Sequence, residues 1–288
     1  MIATFWQVLF FSLVGGVFSL VGGALLLSRR NLAFKLARYV TPFAAGALLA
    51  AAFFDLLPEA SELITVSAAT RWALLGLVIF FLLEHFLHWF HHHHEHPSKH
   101  NPTATLIIIG DSLHNLIDGI AIGAAFLINV PTGIVTTVAI AAHEIPQEIG
   151  DFGLLLKLGY KRAKILWVNI FSALMTVVGA LLIYGFGRQN NLPLAELLAV
   201  TAGMFVYIAA SDLIPSIHEE SKGKLSHLAV ALLLVGIMSV GVLTEIAHER
   251  IEANKHELCV EPAATELEAH SAACEGLEEH NHEAEDSH

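Results

Sequence analysis

Eight long apolar segments dominate the sequence, and each is long enough to cross a lipid bilayer as a helix. They raise the apolar fraction of the chain to 55% and leave only 15% of the residues charged, a balance typical of membrane proteins. The chain is therefore predicted to be an all-α polytopic membrane protein with eight transmembrane helices. The segments are approximately residues 4–27, 40–57, 72–90, 105–127, 132–156, 163–186, 194–214 and 227–247.

Basic residues in the loops predict the orientation, because loops rich in Lys and Arg stay in the cytoplasm. Eleven of them follow the first, third, fifth and seventh segments, and only four lie on the opposite side. Both termini are therefore predicted to be extracytoplasmic, which agrees with an even number of spans. The expected location is the cell membrane, or the inner membrane if the source is a Gram-negative bacterium.

Two polar regions stand apart from the apolar body. Residues 91–104 form a His-rich loop predicted in the cytoplasm, and residues 251–288 form a tail with eleven acidic residues and one lysine. Because such compositions do not pack a core, we expect the tail to be largely disordered and the transmembrane domain to be residues 1–250. Cys259 and Cys274 both lie in the tail, and the sequence leaves open whether they form a disulfide.

The second and seventh segments resemble each other at a constant offset of 157 residues. Because the loop charges make these two helices cross in opposite directions, the similarity indicates an inverted repeat, as in secondary transporters. Segments one to three would then mirror segments six to eight and leave segments four and five as a central pair. Chance recurrence of small-residue packing motifs is the alternative. The shared residues are Ala45, Gly46, Ala52, Asp55, Leu56 and Pro58 with Ala202, Gly203, Ala209, Asp212, Leu213 and Pro215.

Acidic side chains interrupt the two central segments, and no Lys or Arg between Lys99 and Lys157 is available to pair with them. At roughly 2.5 kcal/mol or more for each of five carboxylates, uncompensated burial would cost on the order of 12 kcal/mol. A divalent cation held by imidazole, carboxylate and amide ligands on facing helices would supply the missing positive charge. The carboxylates are Asp111, Asp118, Glu144, Glu148 and Asp151.

Helical spacing places the candidate ligands on two facing stripes. One predicted metal position uses His114, Asp118, His143 and Gln147, and a neighbouring one uses Asn115, Asp118, Glu144 and Gln147, with Glu148 nearby. A buried polar network that only joins helices is the alternative, and it is the simpler interpretation for Asn169. Further residues along the predicted metal route are Asp111, Asp151, Asp55, Asn169, His88, His91, His92, His93, His94 and His96.

At these residues the chain resembles the ZIP (Zrt-, Irt-like protein) family of divalent-metal transporters, over roughly residues 1–250. The family's fourth-span pattern, His-Asn-x-x-Asp-Gly, begins at His114. The fifth-span pattern of the histidine-rich subfamily, His-Glu-x-Pro-His-Glu-x-Gly-Asp, begins at His143 and is met except at Gln147. Gln147 replaces an imidazole with a poorer zinc ligand, and Asp55 stands where a His often precedes Leu-Leu-Pro-Glu.

The resemblance implies a 3+2+3 inverted-repeat arrangement of eight helices and a two-metal site between spans four and five. It also implies elevator-type movement of metal into the cytoplasm, and a homodimer. Zn²⁺ is the expected cargo, with Fe²⁺, Mn²⁺ or Cd²⁺ as alternatives given Gln147. The expected partners are divalent metal ions and the lipid bilayer, with no nucleic acid and no catalytic cofactor.

Two other functions compete with metal uptake. The run from His143 to Gln147 resembles the His-Glu-x-x-His motif of metalloproteases and suggests an intramembrane zinc hydrolase, but Gln147 replaces the second His. Metal export or channel-like conduction is the other alternative, because sequence does not fix the direction of flux. We expect a transporter and not an enzyme.

Overall fold

The helices of the chain follow the predicted apolar segments. The computed structural model describes residues 3–17, 20–92, 102–220 and 224–260, and within these ranges the regular elements are helical, without a strand. The α-helices are α1 Phe5–Val17, α2 Leu20–Ser28, α3 Arg30–Ala50, α4 Leu57–Leu63, α5 Val66–His92, α6 Pro102–Ile128, α7 Val130–Lys157, α8 Arg162–Gly187, α9 Leu194–Ile208, α10 Ile214–Glu220 and α11 Lys224–Val260.

Seven stretches of the described residues are long and apolar enough to span a membrane. They correspond to all of the predicted spans except the fifth, so a polytopic α-helical membrane protein is confirmed while the count of eight stays a prediction. The fifth segment forms α7, which at 28 residues is long enough but carries too many polar side chains to qualify as apolar. Large apolar side chains such as Trp6, Trp167 and Met238 are exposed, as expected of a surface covered by lipid.

Two π-helical turns interrupt the second and seventh spans. The first π turn, Ala51–Leu56, joins α3 to α4, and the second π turn, Ala209–Leu213, joins α9 to α10. At the offset of 157 residues, Asp55 of the first turn corresponds to Asp212 of the second. Because π turns are rare, their recurrence at matching positions supports the predicted internal repeat.

Close helix crossings recur at the same offset. A side chain at Gly46 of α3 would meet the carbonyl oxygen of Leu233 in α11, and one at Gly203 of α9 would meet that of Ala73 in α5. Only glycine permits such an approach of two backbones. The second span therefore packs on the eighth as the seventh packs on the third. In the sequence, the central helices α6 and α7 lie between the third and sixth spans.

Met1–Thr244 form one compact unit, which contains every site described below, and Glu245–His288 form a second. In the second unit, α11 continues to Val260, while residues 261–288 of the predicted tail lie outside the described residues. Most of the predicted His-rich loop, residues 93–101, is also outside them. The predicted domain boundary at residue 250 and the disorder of the tail stay predictions.

Candidate metal centre

Four buried side chains meet where α6 and α7 cross. His114 and Asp118 lie one turn apart on α6, and His143 and Glu144 are neighbours on α7. One ligand atom from each of the four lies within 4.8 Å of the other three. Their exposed fractions are 7% for His114, 1% for Asp118, 0% for His143 and 1% for Glu144, so the group is shielded from solvent.

Four distances within this group are close to those of a tetrahedral site, and a fifth, from Nε2 of His143 to Oε1 of Glu144, is longer at 3.9 Å. Nε2 of His114 is 3.2 Å from Nε2 of His143 and 3.4 Å from Oε1 of Glu144. Oδ2 of Asp118 is 3.3 Å from Nε2 of His143 and 3.6 Å from Nε2 of His114. Ligand atoms about 2.0–2.1 Å from a tetrahedral zinc ion stand about 3.3–3.4 Å from one another. The four side chains can therefore hold a zinc-sized ion with little movement.

Neighbouring groups orient the two imidazoles. Nδ1 of His143 lies 3.2 Å from the carbonyl oxygen of Ala139, which directs Nε2 toward Asp118. The ring of Phe80 packs edge-on against His114 at 5.4 Å between centroids, and Phe205 lies 6.4 Å from His143. Both phenylalanines come from helices that the sequence motifs do not include, so only the tertiary structure reveals their place beside the centre.

Several buried carboxylate oxygens at the centre have no hydrogen-bond partner among the described residues. They are Oδ2 of Asp118 and both oxygens of Glu144 and of Glu148. Imidazole nitrogens lie 3.3–3.6 Å from Oδ2 of Asp118 and Oε1 of Glu144, but buried anionic oxygens without hydrogen bonds are costly in an apolar surrounding. A divalent cation would offset this cost, whereas a network that only joins helices would use these oxygens as acceptors. The chemistry of the site therefore fits a cation-binding function better than a packing function.

The predicted second metal position is only partly assembled. Asn115 is 0% exposed and is held by protein groups, since its Oδ1 accepts from Thr176 and its Nδ2 donates to Oδ1 of Asp111 at 3.0 Å. Glu148 is 1% exposed, and Gln147 lies at the edge of a cavity. The hydroxyl of Thr176 in α8 donates its hydrogen bond to Asn115 at 2.8 Å and so anchors this side chain.

Asn169 and Asp55, two further predicted route residues, are not members of the four-residue group. Nδ2 of Asn169 donates to the carbonyl oxygen of Ile165 in its own helix, so this bond joins no second helix, and the role of Asn169 on the metal route stays a prediction. Asp55 is 1% exposed in the first π turn and accepts a hydrogen bond from Thr132. Only the helical backbone is described for His88, His91 and His92, while His93, His94 and His96 lie outside the described residues.

A cavity of about 610 Å³ leads from the centre to one face of the protein. Its lining includes His114 and four carboxylates, those of Asp111, Asp151, Glu84 and Asp212. Its rim includes the start of α3, which follows the basic loop predicted to be cytoplasmic. The cavity therefore borders the centre at His114, carries four carboxylates in its lining and reaches the start of α3 near the predicted cytoplasmic side.

Comparison with known proteins adds an independent finding. A family model described as ZIP zinc transporter matches residues 3–105 and 91–244. Zinc transporter ZIP10 from Danio rerio is 42% identical over 120 residues, which are 41% of this chain and 14% of that protein. Zinc transporter foi from Drosophila melanogaster is 36% identical over 155 residues, 54% of this chain and 21% of that protein.

Metal cation symporter ZIP14 from Xenopus tropicalis is 40% identical over 119 residues, 41% of this chain and 25% of that protein. The matched part of the chain thus spans a quarter or less of the length of these three relatives.

Proposed function

Because the chain belongs to the ZIP zinc transporter family, we propose that it carries divalent transition-metal ions, chiefly Zn²⁺, across the cell membrane. The observation that supports this most directly is the buried group of His114, Asp118, His143 and Glu144 with tetrahedral spacing. Two imidazoles and two carboxylates suit zinc and tolerate Fe²⁺, Mn²⁺ or Cd²⁺ as well. The metal is the cargo, so the site must bind it and then release it.

The direction of transport is proposed to be into the cytoplasm. The cavity lined by Asp111, Asp151, Glu84 and Asp212 supports this, because released ions would pass successive carboxylates on their way to the cytoplasmic face. A second ion would use Asn115, Gln147 and Glu148 together with Asp118 and Glu144. Movement of the helices that carry the centre, in an elevator-type cycle with both termini outside, would open it to the other face in turn. A homodimer is the expected assembly.

Hydrolysis is the less favoured function. The relatives are named as transporters, and Gln147 lies on the wall of the cavity outside the four-residue group. A metalloprotease-type site would need an imidazole at this position.

Uptake measurements on single variants test the proposal. Asp118→Ala and His143→Ala should lower zinc uptake into cells or proteoliposomes about 100-fold or more, because each removes a ligand from a four-ligand site. Calorimetry on the purified protein should show a matching loss of zinc affinity. Ser112→Ala is the control on α6, since its hydroxyl bonds only to the carbonyl oxygen of Ile108 in its own helix. Unchanged uptake by well-expressed Asp118→Ala would refute the proposed site.

A further inference from the structure

On the face opposite the cavity, the second span is fastened to the start of α7. Nδ2 of Asn129 donates to Oε1 of Glu59 at 2.8 Å, and Oγ1 of Thr132 lies 3.4 Å from Oδ1 of Asp55. Oδ1 of Asn129 also accepts from the backbone N–H of Thr132 at 2.8 Å and so caps α7. One asparagine therefore both begins the helix and joins it to the second span.

A polar track lies beneath these contacts. Thr132, Thr136 and His143 share one face of α7 at spacings of four and seven residues. Thr136 is 0% exposed, and its Oγ1 has no hydrogen-bond partner among the described residues. Thr137, by comparison, bonds to the carbonyl oxygen of Gly133 in its own helix. The track runs from Asp55, which is 1% exposed, past Thr136 toward His143 of the metal centre.

In the second half of the internal repeat, the residues that correspond to Asp55 and Glu59 are exposed. At the offset of 157 residues, Asp55 corresponds to Asp212 and Glu59 to Ser216. Asp212 and Ser216 are both exposed, and both line the cavity that reaches the centre. The protein is thus open at one π turn and closed at the other.

We infer that the pairs Asn129–Glu59 and Thr132–Asp55 form a latch that closes the extracytoplasmic side in this conformation. The latch must break before an ion from outside can pass Thr136 and reach His143. Asn129 and Glu59 are positioning residues in this view, because they control access and touch no reacting group. The inference rests on the proposed transport function. It adds the contacts that would form and break as the outer side closes and opens during transport.

Thiol labelling of a buried reporter tests the latch without requiring transport. Thr136→Cys would be placed in the full chain with Cys259→Ser and Cys274→Ser, so that a single thiol remains. The probe is a membrane-impermeant maleimide added from outside at slightly alkaline pH. Adding Asn129→Asp keeps the helix cap but removes the donor and sets a second carboxylate beside Glu59. We expect labelling to become about fivefold faster, the scale of one lost hydrogen bond.

A double variant separates the latch from a general loss of structure. Glu59→Gln combined with Asn129→Asp reverses donor and acceptor, and it should return the labelling rate to that of the reporter alone. Asn190→Ala is the matched control, since its amide is exposed and bonds only to the carbonyl oxygen of Phe186. Equal labelling with and without Asn129→Asp, or faster labelling that the double variant does not reverse, would overturn the latch.

Uptake assays on the same latch variants without the reporter keep the two proposals distinguishable. If the unmodified protein moves no zinc, the proposed function fails, while the labelling result still decides whether the contacts close the outer side. If zinc uptake is normal and labelling is insensitive to Asn129→Asp, the transport function stands and the latch is wrong.

Discussion

The two π turns have the same position in their halves of the protein but opposite surroundings. Asp55 of the first turn is 1% exposed beneath the start of α7, whereas Asp212 of the second turn is exposed on the wall of the cavity. Local sequence does not account for this difference, because the two turns share the same Asp-Leu step within similar helices. Burial here depends on which helix covers the turn, so the exposure of each aspartate reports the conformation of the protein.

The comparison also gives the carboxylates different tasks in the structure described. Asp55 is buried and accepts a hydrogen bond from Thr132, while Asp212 lines the cavity that borders the candidate metal centre on the predicted cytoplasmic side. If the halves exchange roles during transport, the exposure of Asp55 and Asp212 should exchange as well. The predictions below test how far the equivalence of the two halves extends.

We expect the largest loss of stability where helices from the two halves of the internal repeat cross most closely. Gly46→Ala and Gly203→Ala each place a methyl group against a backbone carbonyl oxygen of the neighbouring helix. Because backbone cannot move aside as a side chain can, each variant should lose about 1–3 kcal/mol of stability. Thermal unfolding of purified protein in detergent measures the loss, and the two variants should be similar.

Gly185→Ala provides the control for these packing variants, because a side chain at Gly185 would meet nothing within 4 Å. Its unfolding temperature should stay at the wild-type value. A large loss for only one of the two glycines at the crossings would show that the halves are not equivalent in packing.

Much of the fold and of the centre follows from sequence because their signals are local. Apolar segments of spanning length mark the helices, and the spacing of His114 and Asp118 on α6 predicts that they share a face. The helical distance between His143 and Glu144 does not predict that both reach the same ion, because adjacent residues point in different directions. Their meeting in one group depends on how α7 crosses α6.

The features that sequence analysis missed depend on contacts between distant segments or on the backbone. Phe80 and Phe205 approach the two imidazoles from α5 and α9, and no motif connects them with the centre. The π turns have no distinctive residue, although the repeat around Asp55 and Asp212 marked their location. The contact of Asn129 with Glu59 joins residues 70 positions apart, which no helical periodicity can predict.

We expect an effect of intermediate size on zinc transport when the aspartate of one π turn is neutralised and the other is kept. Asp212→Asn should raise the half-saturating zinc concentration about tenfold, which is about 1.4 kcal/mol, when metal is supplied on the cytoplasmic side. Asp55→Asn should do the same for metal supplied outside, and its amide oxygen can still accept from Thr132. Each variant should change the other side by less than about twofold.

Proteoliposomes with oriented protein and metal on one side at a time allow this measurement. Glu62→Gln and Glu219→Gln are the charge-matched controls, because both carboxylates are exposed in the helices that follow the two turns. If Asp55→Asn and Asp212→Asn changed both sides equally, the two turns would not serve separate faces, and the comparison between them would lose its functional meaning.

We expect the smallest effect on stability from the contact between Tyr207 and Glu84, which has no counterpart at the matching position in the first half of the repeat. The hydroxyl of Tyr207 in α9 donates to Oε2 of Glu84 in α5 at 2.7 Å, beside the cavity. The matching position of Tyr207 is Ala50, which has no hydroxyl to donate. Tyr207→Phe removes this hydrogen bond and should cost about 1 kcal/mol. In a chain of this size that loss lowers the unfolding temperature by about 2–4 °C.

Tyr39→Phe, at an exposed tyrosine of α3, controls for the loss of a hydroxyl as such. Tyr207 joins α9 to α5, and its partner Glu84 lines the cavity. Tyr207→Phe therefore also distinguishes a structural role of this contact from a role in the metal path. A lower unfolding temperature with normal zinc release means that the bond fixes the seventh span against the third. A normal unfolding temperature with slower release would instead place the Glu84 carboxylate in the metal path, with Tyr207 as the group that orients it.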